Sequence, residues 1–187
     1  MKTEMKIKSL VFGLTLIAAN YMTAQTTTTT DTTKIQTQQT QVATTGTTNP
    51  EIEALKQKIA AKPDDTQSLV SLATAYQNAN DWSSAITTWN KVTALLPDWA
   101  PAYYSIGYAS QSAKDNAAAK MAYEQYIAKV KPEEVDANKQ NLAYAYFFIA
   151  FQDKDTDKEK AKQYIAKSLQ YDATNQDALN LSKSLMN

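Results

Sequence analysis

The sequence predicts an all-α chain, an α-α superhelix of stacked helical hairpins, and three observations carry the prediction. Pro63, Pro97 and Pro132 recur at gaps of 34 and 35 residues, each followed by an acid, Asp64, Asp98 or Glu133. A second set repeats at 34: Leu72 with Ile106, Ala73 with Gly107, Asp81 with Asp115, Ala85 with Ala119 and Trp89 with Tyr123. No stretch after residue 49 alternates as a strand would, and Gly107 is the only glycine there. A helical chain with a fixed period in this range reads as an array of hairpins that bury their apolar faces on one another.

Residues 1–24 read as a secretory signal peptide. Lys2, Lys6 and Lys8 form a basic start, and Leu10 to Ala19 form an apolar run of ten that ends at Asn20. The run is about half the ~20 residues a membrane span needs, so cleavage is expected, within about residues 19–25, and a retained anchor is the alternative. No cysteine stands at the junction to carry a lipid. Residues 25–48 are rich in threonine and glutamine, with too few apolar groups to offset the entropy of ordering the backbone. They read as a disordered linker with an r.m.s. span of about 27 Å.

The helical domain is placed at 49–187. Asn49 suits an N-cap and Pro50 the first helical position, and Ile52, Leu55 and Ile59 make one stripe over 51–61. A second helix opens at Asp64, with Gln67 completing a capping box, and carries Leu69, Leu72, Ala73 and Tyr76. Asn78 to Asp81 read as a turn, and Trp82 to Leu95 as the returning helix. Asp98 opens the next pair, which turns near Lys114-Asp115 and runs to Val130. Ala137 to Gln152 and Asp157 to Tyr171 form a third pair, with Thr156 as cap and Glu159 answering it. A final helix covers 175–186.

Composition narrows the chemistry. Cysteine, histidine and arginine are all absent, and every one of the 19 basic residues is lysine. That removes thiolate chemistry, the commonest general base and zinc ligand, and bidentate clamping of phosphate or carboxylate. The formal charge is zero, and without residues 1–24 there remain 16 lysines against 18 acids. No dense basic patch for nucleic acid is present. No enzyme, cofactor or metal site is expected.

The stretch Leu69-x-x-Leu72-Ala73-x-x-Tyr76, followed by Ala85-x-x-x-Trp89 and Pro97, resembles the tetratricopeptide repeat (TPR). A second copy is Tyr103-x-x-Ile106-Gly107-x-x-Ser110 with Ala119-x-x-x-Tyr123, where Ser110 replaces the expected tyrosine. A looser third is Tyr144-x-x-Phe147-Phe148-x-x-Phe151 with Ala161-x-x-x-Ile165, with one extra residue in its turn. Repeats then fall at about 66–99, 100–133 and 141–174, with a partial leading helix at 51–61 and a cap helix at 175–186. The signal end at Ala24-Gln25 resembles those of exported Bacteroidetes proteins, and Asp31-Thr32-Thr33 resembles an O-glycosylation triplet of that group, a match that a threonine-rich stretch also makes by chance.

The resemblance implies a concave groove lined by the first helix of each pair. Its lining would be Gln67, Val70, Thr74 and Gln77, then Tyr104, Tyr108 and Gln111, then Tyr146 and Ile149 in the loose third copy. Tyrosine faces and amides would hold a peptide there, without the cationic clamp that some members of the family use. Packing against a neighbouring helix is the alternative role for Tyr104 and Tyr108.

Three further motifs have bland readings beside sharp ones. Tyr144 to Phe151 is apolar all round, which suits either a helix buried on several sides or a docking face. Asp153, Asp155 and Asp157 alternate as in a calcium loop, but Lys158 and Tyr164 stand where glycine and glutamate are needed. Asn180-Leu181-Ser182 is a sequon on a helix and carries no inference. The expected molecule is a periplasmic or secreted non-enzymatic scaffold that binds a protein or peptide partner, with roles in envelope assembly or secretion. Self-association into a homo-oligomer through unfinished repeat ends is the alternative, and a helical-cavity enzyme or carrier a remoter one.

Overall fold

A computed structural model describes residues 49–186, and the expected signal and linker lie outside the described residues. Eight α-helices run in order: α1 (Pro50–Ala61), α2 (Thr66–Asn78), α3 (Trp82–Leu95), α4 (Ala100–Ser112), α5 (Asn116–Lys129), α6 (Lys139–Asp153), α7 (Lys158–Tyr171) and α8 (Gln176–Met186). Two short 3-10 turns, Pro132–Glu134 and Asp136–Asn138, separate α5 from α6. No strand occurs among the described residues.

Consecutive helices pack on one another throughout. The core is a string of overlapping clusters, each shared by neighbouring hairpins. Ile52 and Leu55 of α1 meet Leu72 and Ala75 of α2. Leu69 and Ala73 of α2 and Trp89 and Val92 of α3 join Ala102, Ile106 and Ala109 of α4. Tyr104, Tyr123 and Tyr126 join Leu142, Ala145, Phe148 and Ile149 of α6. Ala150, Ala161 and Ile165 close on Ala178, Leu181 and Leu185 of α8. No hairpin completes its apolar face alone, the arrangement that makes repeat arrays stable as stacks.

The small residues sit where helices cross closely. Ala73, Ala85 and Ala119 are fully buried. A Cβ built on Gly107 would lie 2.7 Å from two ring carbons of Tyr123, so that position takes glycine for space. In the first hairpin the equivalent pair is Ala73 and Trp89.

Three caps fall one residue later than the sequence suggests. Asp65, not Asp64, caps α2 by accepting from Ser68 N–H. Asp64 lies instead in a turn closed by the Asp65 N–H to Lys62 carbonyl bond, too early to reach the first helical amides. Trp99 precedes α4 and cannot cap it with its side chain, while Asp98 pairs with Lys129 of α5 at 2.8 Å. Asp157, not Thr156, caps α7 through Lys160 N–H. The extra residue in that turn moves the capping position along the chain.

Candidate functional site

The face expected to bind a partner is carried by α2, α4 and α6, and the structure divides its residues sharply. Gln67 is exposed on the first turn of α2. Val70 is half-buried against the core shared with the next hairpin. The Thr74 hydroxyl donates to the Val70 carbonyl at 2.9 Å, so its donor is engaged. Gln77 accepts from the Trp89 indole N–H at 2.6 Å. Thirty-four residues on, the same device recurs: Gln111 Oε1 accepts from the Tyr123 hydroxyl at 3.1 Å. Gln111 Nε2 also donates to the Tyr144 hydroxyl at 2.6 Å, which ties α4 to α6. These two amides are structural ties between helices rather than uncommitted groups on a groove.

The two tyrosines of α4 separate cleanly. Tyr104 is 8% exposed and packs edge-on to Tyr123 and Tyr126, with ring centres 5.5 and 5.1 Å away. It is core, and a ligand cannot reach its face. Tyr108 is 42% exposed and meets Trp82 of α3 edge-to-face at 6.0 Å. Neither the Tyr108 hydroxyl nor the Trp82 indole N–H has a hydrogen-bond partner among the described residues. An exposed ring beside two uncommitted donors is the kind of surface that binds peptide backbone and side chains together.

On α6 the sequence register misses. Tyr146 turns toward its own hairpin, stacking on Tyr171 and leaning on Tyr164 of α7, and Ile149 is fully buried. Tyr144 is the residue that faces α4. Two residues along a helix are about 200° apart, so these two tyrosines point in nearly opposite directions. Phe151, at the motif position that Tyr76 holds in the first copy, is 46% exposed with the Lys154 ammonium over its ring. The rest of the Tyr144–Phe151 stretch is buried or half-buried, as a helix enclosed on several sides should be.

Burial sets the acid–base character of this region. It pushes the hydroxyls of Tyr104, Tyr123 and Tyr126 well above the usual tyrosine range, with neighbouring tyrosines adding to the effect. Burial also raises Tyr144, while its bond with Gln111 acts in the opposite direction. None of these groups is poised to exchange a proton near neutral pH.

Sequence reasoning missed one polar cluster. Asp153, at the end of α6, is 3% exposed and pairs with Lys120 of α5. Its second oxygen lies 3.6 Å from the Lys160 ammonium of α7, which itself binds Glu124 of α5 at 2.9 Å. Four charges from three helices thus join the second and third hairpins. The calcium-like alternation of Asp153, Asp155 and Asp157 has a plainer account here: Asp153 answers two lysines and Asp157 caps α7.

A chain that stacks helical hairpins in sequence order, with small residues at its crossings, is an α-helical repeat array. Its fold is that of the tetratricopeptide repeat (TPR). It is similar to the C-terminal part of a TPR repeat-containing protein from Cytophaga hutchinsonii, at 25% identity and TM-score 0.62 over 70% of this chain. The match takes in 52% of that structure, so this chain spans about half its length. MamA is similar at 21% identity and TM-score 0.54, over 72% of this chain and 84% of that one. The Cut9–Hcn1 hetero-tetramer of the APC/C is similar at 20% identity and TM-score 0.52, over 72% of this chain and 26% of that one. No protein-family model and no curated protein matches the sequence.

Proposed function

We propose that this chain is a non-enzymatic scaffold of the bacterial envelope, exported to the periplasm or beyond, that presents its α2–α4–α6 face to a peptide or protein partner. The observation that carries this reading is Tyr108. It is a large exposed ring on the helix the fold places at the centre of the array, with the Trp82 edge and two uncommitted donors beside it. Envelope assembly or secretion fits the basic, apolar and small-residue pattern of residues 1–24. The likeness to Cut9–Hcn1, a complex of protein subunits, supports protein binding as the kind of work done.

Self-association through the array ends has less support. The outward residues of α8 are mostly polar, Gln176, Asp177, Asn180 and Lys183, with Leu179 and Met186 also exposed there, and those of α1 include Glu51, Gln57 and Lys58. Polar outer faces are what terminal repeats use to stop an array from growing.

The test is recovery of partners from envelope extract by the mature chain and by its Tyr108→Ala variant. Tyr108→Ala should lose the partner by about tenfold or more, the scale of an interface anchor, with the melting temperature preserved. Equal recovery by both proteins would exclude this face. Tyr104 does not belong in that variant, because its removal opens the core.

A further inference from the structure

We propose that the cleft between α6 and α7 is a carbohydrate-binding platform, separate from the partner-binding face. The cleft holds about 460 Å³ and is lined by Tyr146, Gln163, Tyr164 and Lys167. Tyr146 and Tyr164 form its aromatic side, with ring centres 5.5 Å apart. Tyr171 supports Tyr146 from behind, stacked at 5.9 Å with 18° between the planes. The platform is therefore held rigid by three rings on two helices.

The polar groups around it select the ligand. The hydroxyls of Tyr146 and Tyr164 and the amide of Gln163 have no hydrogen-bond partner among the described residues. A hydroxyl and a carboxamide each both donate and accept, which matches a ligand rich in hydroxyls. The Tyr146 ring, which has no cation over it, suits the C–H face of a pyranose, whose hydroxyls then point outward to the rim.

Charge removes the main competitor. A cage of tyrosines would also suit a quaternary ammonium or another organic cation. Here Lys160 already lies 5.3 Å from the Tyr164 ring centre, and Lys167 stands on the rim. A second cation would be repelled. A wholly apolar ligand would bury three polar groups without partners, at a cost that disfavours it. Neutral or acidic sugars remain, and Lys167 Nζ, whose only acceptor among the described residues is Gln170 Oε1 at 3.3 Å, is placed to meet a uronate. Because Tyr144 and Tyr146 project about 200° apart on α6, glycan and protein partner can be held at the same time.

The experiment is calorimetric and NMR titration of the mature chain with chitohexaose, cellohexaose, mannohexaose and oligogalacturonate. At least one should bind saturably with Kd in the micromolar to low-millimolar range and shift resonances of Tyr146, Gln163 and Tyr164. Tyr164→Leu, which keeps apolar volume, and Gln163→Ala, on an exposed residue, should each weaken that binding tenfold or more. Unchanged helical circular dichroism in Gln163→Ala separates loss of the site from loss of fold. Saturable binding to none of the four sugars would overturn the proposal, as would binding that both variants leave intact. Tighter capture of a proline-rich peptide at this cleft than of any sugar would also overturn it.

Discussion

The second and third hairpins are joined to the array by different means. In the first two hairpins the parts recur at 34 residues. Gln77 accepts from Trp89 and Gln111 from Tyr123, Asn80 and Lys114 both adopt left-handed backbone, and Asp81 and Asp115 both cap the returning helix. Of these the third hairpin keeps only the aspartate cap, supplied by Asp157. Its turn has an extra residue, its first helix ends in buried Asp153, and lysines from both neighbouring helices meet that carboxylate. Gln152 stands at the place of Gln77 and Gln111, but Ile165 stands where Trp89 and Tyr123 supply a donor, so the amide–aromatic tie cannot form and an ion cluster stands in its place. A repeat architecture therefore tolerates loss of its signature as long as each junction finds some way to satisfy its buried groups.

The largest expected effect comes from alkali, and it falls on the second hairpin. Tyr104, Tyr123 and Tyr126 have folded-state hydroxyls that titrate above their unfolded value, so the folded state holds protons that the unfolded chain releases. Their contribution is complete below about pH 10 and is lost as pH rises beyond it, at about 1.4 kcal/mol per pH unit for each tyrosine. Urea unfolding between pH 9 and 11 should show this decline, and Tyr104→Phe should flatten it by one proton's worth. Parallel curves for the two proteins would contradict the burial account.

Next in size is Asp153→Ala, which leaves Lys120 and Lys160 facing each other at the second junction. Loss of one member of a buried pair costs about 3–5 kcal/mol, and the partial exposure of both lysines brings the expected value toward about 2–3 kcal/mol. Chemical denaturation measures it, and a change below about 0.5 kcal/mol, the range of ordinary surface substitutions, would remove the ion cluster from the account.

Gly107→Ala probes the crossing that the second hairpin makes more tightly than the first. The added methyl meets the buried Tyr123 ring, which has no room to yield, and should cost about 1–3 kcal/mol. Ala73→Gly at the matching place removes only a methyl and some helix propensity, about 1 kcal/mol or a little more. Equal melting temperatures for the two variants would show that the crossings are alike.

The smallest effect is a gain. Lys114 has φ of 65°, a region that costs a side-chain-bearing residue about 1–2 kcal/mol and glycine almost nothing. Lys114→Gly should raise stability by up to about 1 kcal/mol, less the added entropy of the unfolded chain. Loss of stability would contradict the turn geometry.

The same contrast between hairpins decides how far the sequence was legible. Within the exact 34-residue repeats, helix order, the buried alanines and the Gly107–Tyr123 crossing could all be anticipated. Cap positions were off by one because Pro63-Asp64 and Pro97-Asp98 close turns before their helices begin. Tyr104 and Tyr108 could not be told apart by type, since tyrosine serves both cores and surfaces, and only packing against Tyr126 and Trp82 separates them. The structural role of the two glutamines did leave a signal. Each stands 12 residues before an aromatic donor, and that spacing recurs with the repeat. In the third hairpin the register was lost, and with it Tyr144, Tyr146 and the Asp153 cluster.

Partner binding centred on Tyr108 of α4 can be tested by covalent capture. The most direct measurement places a photo-crosslinking phenylalanine analogue at position 108 and, in a second protein, at position 121, where Met121 of α5 is 61% exposed. Irradiation in envelope extract should yield one discrete adduct from position 108 and none of that mass from position 121. The same adduct from position 121, with none from position 108, would contradict the account.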